Sequence, residues 1–552
     1  MLKGKACINC RRRKIKCDGD RPSCGQCARS NGAFEDCEYP SSGPTQTEIL
    51  EDRISYLQNR IRQLENKSKP TEARLQSPYN GASPPRVKTK TAPTLPSAHS
   101  SPLSQPSSSR GSRLKSASAS PVQEPPVDIR LTLINIFYQY SSRFGFFLNV
   151  ERFHPSFIEP QQIGHYSRPT PALLNAIYLW GTYLAPSPHD GCDEKAFLRN
   201  SLHHLSKDLS CSHPHKIIQG IQTEVLLSYY YLMNGKVLAG NYHANAAVSL
   251  CLSSGFHRIR TPIGPAIFSS TSRSSPPQPS SPLPKAVDDI EEGERVDAFW
   301  AVLILNNTWI AIQESHSMFY DLQTIGVDTP WPMDTFEYQL QLLPSVSSGT
   351  IKGFLDSTNI EGFSIMALHA KAAVLLEQAT IYASNPEASD QRPSEISRLE
   401  AVIDQFQSQF PMVDRMDVTP SETDTLLMTQ MMIHAATIKL HLPLLQKGET
   451  RSRQKTLAAA QAIAVLTHSI QPMSSIRVDP IVGVLWTVAS EVFIRELFGP
   501  DSATMESRPQ SQWSTLLHSI LSQMTKFSEK NVLMKFLVKR IQKIHPGTLA
   551  YW

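Results

Sequence analysis

The most regular pattern in the chain is a heptad. In TEILEDRISYLQNRIRQLENK the apolar residues Leu50, Ile54, Leu57, Ile61 and Leu64 recur at steps of four, three, four and three. Leu falls at d and Ile at a, a choice that favours a parallel two-stranded coiled coil. Arg60 at g can pair with Glu65 at e of the other chain. The spacing predicts a dimerisation segment over residues 47–66. It is under three heptads long and therefore weak alone, so the C-terminal region is expected to help. A single amphipathic helix packed on its own chain would show the same pattern. The segment's surroundings offer it little to pack on, which favours the dimer seam.

A second pattern fills the rest of the chain. From about Val127 onward, apolar residues recur with helical period and little strand alternation. Examples are IRLTLINIFYQYSSRF, GERVDAFWAVLILNNTWIAI, DTLLMTQMMIHAATIKLHLPLLQ and TLAAAQAIAVLTHSI. These predict an all-α domain of a dozen or more helices over 127–552. A Ser/Pro-rich break, SSTSRSSPPQPSSPLPK, predicts a disordered insertion near 261–288. Between the heptad and this domain, residues 67–126 are rich in Ser, Pro, Thr, Lys and Ala with almost no aromatics. Such a stretch buries too little apolar surface to offset its ordering entropy and reads as a disordered linker. Its Ser-Pro steps are candidate phosphorylation sites.

Composition and charge narrow the function classes. A chain of 552 residues exceeds one typical domain. Its 40% hydrophobic content suffices for a large core. The net charge is only +5, so affinity for nucleic acid has to come from local clusters. Residues 1–30 lack the apolar run of a signal peptide. The most apolar stretch, IVGVLWTVA at Ile481–Ala489, is too short to span a bilayer and is followed by Glu491, Arg495 and Glu496. It reads as a buried core helix. A reducing compartment then ranks metal binding above disulfides for the thiols.

Six of the nine cysteines fall within MLKGKACINCRRRKIKCDGDRPSCGQCARSNGAFEDCEYP. Cys7, Cys10, Cys17, Cys24, Cys27 and Cys37 follow the spacing C-x2-C-x6-C-x6-C-x2-C-x9-C. Each C-x2-C pair offers a metal two thiolates from one tight turn, and zinc takes four in a tetrahedron. Six are too few for two separate four-thiolate sites, but they hold two zinc ions if two thiolates bridge. With every position taken by sulfur, no water is left to activate, so the zinc is structural. It folds a segment too small for its own core. A short helix is expected after the first pair, carrying Arg11 to Lys16. Its cations suit phosphates and the guanine O6 and N7 acceptors, and the basic run also suits nuclear import.

CINCRRRKIKC resembles the first half of the fungal zinc binuclear cluster (Zn2Cys6) transcription factors, C-x2-C-R-x-R-K-x-K-C. Pro22, two residues before Cys24, also follows the family pattern. The last spacer, Ala28–Asp36, is longer than is usual and reads as a larger loop around Asn31-Gly32. The resemblance implies that Cys7 and Cys24 bridge, that Cys10 and Cys17 complete one zinc, and that Cys27 and Cys37 complete the other. It also implies that Arg13 and Lys14 read bases in a CGG-like triplet, with Arg11 and Lys16 on phosphates. A looser resemblance follows. GNYHANAAVSLCLSSGFHRI (Gly240–Ile259), EEGERVDAFWAVLILNNTW (Glu291–Trp309) and VDTPWP (Val327–Pro332) are similar, in order, to segments of the fungal-specific regulatory domain.

Other clusters carry less. His203, His204, Cys211, His213 and His215 have no regular ligand spacing and read as a polar loop. Cys192 and Cys251 read as core thiols. Glu291, Glu292 and Glu294 suit a helix N-terminus, where the dipole favours acids. No phosphate loop, G-x-S-x-G or H-E-x-x-H is present, and nothing recommends an enzyme.

The expected architecture is a small zinc-stabilised Zn2Cys6 cluster and short coiled coil, a disordered linker, then a large all-α domain. The ranges are 1–40 for the DNA-binding domain, 41–46 for a first linker, 47–66 for the coiled coil, 67–126 for the second linker and 127–552 for the regulatory domain. The expected protein is a nuclear, homodimeric, sequence-specific transcription factor for RNA polymerase II. It holds two zinc ions, binds double-stranded DNA and co-regulators but no membrane, and controls metabolic genes. Alternatives are a helical domain that senses a small effector, and an interaction scaffold whose zinc knob does not touch DNA.

Overall fold

The structure, a computed structural model, describes residues 10, 14–18 and 24–28, then 124–545 with breaks at 188–191, 261–284, 314–325, 345–348, 358–360, 385–392, 412–417, 447, 470–478, 499–509 and 530. The heptad residues Leu50, Ile54, Leu57, Ile61 and Leu64 lie outside the described residues, as do 67–123 of the second linker. The chain divides into two units, residues 1–114 and 115–552.

Among the described residues, the first unit shows α1 (Gly25–Ala28) and a helical residue at Cys10. The second is built from helices, with no strand among the described residues. In chain order they are α2 (Val127–Tyr138), α3 (Val150–Ile158), α4 (Pro171–Leu184), α5 (Glu194–Ser210), α6 (Lys216–Met233), α7 (Val237–Ser253), α8 (Asp289–Gln313) and α9 (Thr335–Gln339). Then follow α10 (Thr350–Leu355), α11 (Ile365–Ser384), α12 (Pro393–Gln409), α13 (Pro420–Gln446), α14 (Thr450–Ser469), α15 (Ile481–Phe498), α16 (Gln510–Ser528) and α17 (Val532–Ile544). The periodic stretches of the sequence fall on α2, α8, α13 and α14.

Local signals start several of these helices. Asp193 accepts from the Lys195 N–H at the head of α5, and Asn531 from the Met534 N–H at the head of α17. Asp334 and Glu337 form a capping box on α9. The residue pattern also sets depth. Helices α8 and α15 are buried nearly all round and lie in the core, with Trp300 and Trp486 fully buried. No helix among the described residues is long and apolar enough to cross a membrane. The stretch Ile481–Ala489 is the first half of buried α15.

The three regulatory-domain segments meet in space. VDTPWP runs between the short 3-10 turn Phe256–Arg258 and α8. Asp328 N–H donates to His257 O at 3.1 Å, and Trp300 Nε1 donates to Pro330 O at 2.7 Å. Trp331 stacks on Trp300 with ring centroids 4.3 Å apart. Thr350 at the head of α10 closes the segment, its N–H donating to Val327 O and its hydroxyl to Thr329 O. An extended segment buried this deeply leaves backbone groups that need partners, and these bonds supply them.

Two stretches at the edges of the unit are tied into it. Glu124, three residues ahead of Val127, already belongs to it. Arg168, whose side chain is fully buried, donates to both Glu124 carboxylate oxygens at 2.7 and 2.8 Å, and Tyr178 donates to the same carboxylate. The partner lies 44 residues away, so no local pattern marks Glu124. Likewise Val287 and Asp288, placed in the predicted insertion, are bound to the head of α8. Glu291 N–H donates to Asp288 Oδ1, and Val287 N–H to Glu291 Oε2.

Candidate metal centre and DNA interface

The N-terminal unit is organised by its sulfurs. Cys10, Cys24 and Cys27 are buried, with Cys17 packed against them. Among the described residues of this segment the sulfurs are the core, and burying thiols there serves a shared partner. The Sγ atoms of Cys10, Cys17 and Cys24 all lie within 4.8 Å of one another. Cys10 Sγ and Cys24 Sγ are 3.6 Å apart. A disulfide would bring sulfurs to ~2.05 Å. Two thiolates on one tetrahedral zinc at ~2.3 Å stand ~3.8 Å apart. The separation therefore fits two ligands of one metal ion and rejects a disulfide. Among the described residues no second group of His, Cys, Asp or Glu side chains gathers in this way.

The backbone around the sulfurs is arranged for this. Cys27 N–H donates to Cys24 Sγ at 3.4 Å, which steadies the sulfur in its turn. Gly25 N–H, at the head of α1, donates to Asp18 Oδ2 at 2.8 Å. Asp18 thus ties the Cys17 side of the segment to the Cys24 side. Sequence reasoning passed over Asp18, because a local cap for α1 would stand next to it in the chain, not seven residues earlier.

The first helix ends sooner than expected. Cys10 is helical, but Lys14 sits in the left-handed region at φ +52° and residues 15–18 are not helical. Ile15 N–H reaches back to Cys10 O at 3.1 Å. A left-handed residue followed by this six-to-one bond is a Schellman ending, with Lys14 at C′. The expected helix through Lys16 is therefore corrected: Lys14 is left-handed and residues 15–18 are not helical. Gly is the usual signal for such a stop, and a Lys there gives none. The result is that Lys14 and Lys16 are both exposed at the end of a helix, beside the sulfur cluster.

Cys7, Cys37, Arg11 and Arg13 lie outside the described residues. The demoted clusters have structural partners. His213 is buried, with Nε2 2.8 Å from Arg168 O, and Cys211 donates to Asp208 O. His203 lies against Lys207. Cys251 is buried in the core, which pushes its thiol well above the ordinary range, and Cys192 packs at the core's edge. Glu291 pairs with Arg295, Glu292 with Arg260, and Glu294 accepts from Asn149 N–H, all at the head of α8.

Residues 5–46 match the family model for the fungal Zn(2)-Cys(6) binuclear cluster domain, and residues 134–342 match that for the fungal specific transcription factor domain. No curated protein matches the chain. The cluster domain binds two zinc ions, and the Cys10, Cys17 and Cys24 sulfurs are placed to take one. Both matched families are transcription-factor domains, not enzymes. The chain therefore carries the two domains of a fungal Zn(2)-Cys(6) transcription factor, a DNA-binding regulator with its cluster first and its regulatory helices after it.

Proposed function

We propose that residues 1–40 read CGG-like half-sites in duplex DNA, with two copies of the chain joined over 47–66, in the nucleus. Cys7, Cys10, Cys17 and Cys24 hold one zinc, and Cys7, Cys24, Cys27 and Cys37 the other. Arg13 and Lys14 contact bases, and Arg11 and Lys16 contact phosphates. Leu50, Ile54, Leu57, Ile61 and Leu64 form the dimer seam. The helical unit recruits co-regulators, and the target genes belong to a metabolic pathway.

The observation that carries this reading is the placement of Lys14. It is exposed at the tip of a helix whose Cys10 belongs to the sulfur triad. A helix tip fixed by metal is rigid, and rigidity lets a long cation discriminate base edges instead of sampling phosphates at random. Modules of this kind place a helix in the major groove, with dimer spacing setting half-site separation. The test is binding-site selection from random DNA with the zinc-loaded full chain. Two CGG-like triplets at fixed spacing support a dimeric reader. A single triplet removes the seam from the proposal. No enrichment leaves the scaffold alternative.

A second reading, a small-molecule sensor, has one observation in its favour. A cavity of about 220 Å³ lies among α3, α6 and α8, and Arg152, His215, Gln219 and Glu294 line it beside apolar Phe153 and Ile218. Polar groups beside an apolar wall, with Gln219 and Glu294 buried among them, suit a small polar ligand. Thermal melting of the chain with candidate metabolites tests it, and an unmoved transition with all of them counts against it.

A further inference from the structure

The outward face of α17 combines exposed apolar side chains with lysines. Leu533, Met534, Leu537, Val538 and Ile541 are buried. At 3.6 residues per turn the opposite pole carries Val532, Phe536, Lys539 and Lys543, with Lys535 at its edge. Val532 is 50% and Phe536 58% exposed, and the three lysines are exposed as well. Val532 packs against Gly235 in the turn between α6 and α7. Leu238, three residues beyond Gly235 at the start of α7, is 85% exposed.

Charge sets this face apart further. Helix α17 contains no acidic residue. At several places elsewhere in the unit cations meet carboxylates, as in Arg152–Asp288, Arg295–Glu291 and Lys455–Asp404. Among the described residues, no carboxylate is within ion-pair distance of Lys535, Lys539 or Lys543. Single exposed apolar residues are ordinary on a protein surface. An apolar strip beside a lysine ridge on one helix face is a recognition pattern.

Three kinds of partner offer negative charge. Duplex DNA would take the lysines and leave Phe536 and Val532 in water. A lipid surface takes a basic helix by sinking its apolar face ~5–10 Å into the interface, and here that face is spent in the core. An acidic, amphipathic peptide uses both halves of the pattern.

We propose that the outward face of α17 docks an acidic amphipathic segment of a partner protein, with its carboxylates on Lys535, Lys539 and Lys543 and its apolar side chains on Val532 and Phe536. The proposal rests on the recruiting role given above to the helical unit and is independent of how the cluster reads DNA.

The probe is a short fluorescein-labelled helical peptide with Asp and Glu on one face and Leu and Phe on the other, titrated into the zinc-loaded full chain. Saturable binding is expected. Phe536→Ser, and separately the triple change Lys535→Glu, Lys539→Glu and Lys543→Glu, should each weaken it about tenfold or more. A peptide with the same acids and Ser for its Leu and Phe should bind about tenfold more weakly. Both variants alter outward side chains, so the melting temperature should hold. No saturable binding would overturn the proposal, as would binding indifferent to Phe536→Ser, or uptake of random duplex or phosphatidylserine vesicles in place of the peptide. Binding to the selected DNA site, measured on the same samples, separates a failed docking face from a failed DNA reader.

Discussion

Lys14 does two jobs, and they can be separated. Its backbone is left-handed, which costs a non-Gly residue ~1–2 kcal/mol, while its side chain is the proposed base contact. Lys14→Gly keeps the turn and relieves the strain, so it should leave zinc content unchanged and the segment no less stable. Specific DNA affinity should fall by about tenfold or more, with the loss focused on one base pair. Lys16→Ala should instead weaken binding evenly across sequences and reduce the salt slope by ~1. Equal specificity profiles for the two variants in selection experiments would reject the assignment. Glu294 is a second residue with a measurable signature. Burial pushes its carboxyl up to about 7, opposed by Asn149 N–H and Arg152. The folded state holds this proton more tightly than the unfolded chain does. Its contribution to stability is therefore full below about 4.5 and lost as pH rises through about 7. Glu294→Gln removes that loss, so the variant should gain on the parent by on the order of 2 kcal/mol between pH 5 and 8 in chemical denaturation. Denaturation curves that stay parallel across that range would mean that Glu294 ionises freely.

At the scale of elements, the helices were legible because their period is local, while their approach was not. Gly240 shows why. A Cβ there would come within 2.6 Å of Trp309 Cζ2 on α8 and 3.1 Å of Ser228 O on α6. Trp309 Nε1 in turn donates to Ser228 Oγ at 2.9 Å. The crossing of α6, α7 and α8 is thus set by the absence of one methyl group. Gly240→Ala should cost about 1–3 kcal/mol despite its better helix propensity, because the backbone oxygen cannot move aside as a flexible side chain would. A thermal melt equal to or above that of the parent would refute this account of the crossing. In the sequence Gly240 is one small residue among others, and its partners are 12 and 69 positions away. VDTPWP is a similar case. The order of the three regulatory segments hinted at a common unit, but the stacking of Trp331 on Trp300 belongs to the folded state.

For the whole molecule, the division into 1–114 and 115–552 predicts independent responses to metal removal. Among the described residues of the helical unit no group of side chains gathers around a metal-sized space, whereas the sulfur triad does so in the N-terminal unit. A chelator should abolish DNA binding while leaving the main calorimetric transition in place, since only the small unit couples folding to zinc. A shift of that main transition on chelation would show that the large unit depends on metal too. The sequence by itself determined the inventory: six cysteines at ligand spacing, a basic run between them, a heptad, a low-complexity stretch and a long helical region. Each is a statement about neighbours along the chain, where covalent geometry and helical period act directly. The tertiary structure decided what depends on distant neighbours. It brought Cys10 and Cys24 to 3.6 Å, joined Asp18 to Gly25 and anchored Glu124 on buried Arg168. It also turned Phe536 outward beside exposed lysines. These contacts follow from packing a whole core, in which burial sets the energy and no short window of sequence contains both partners.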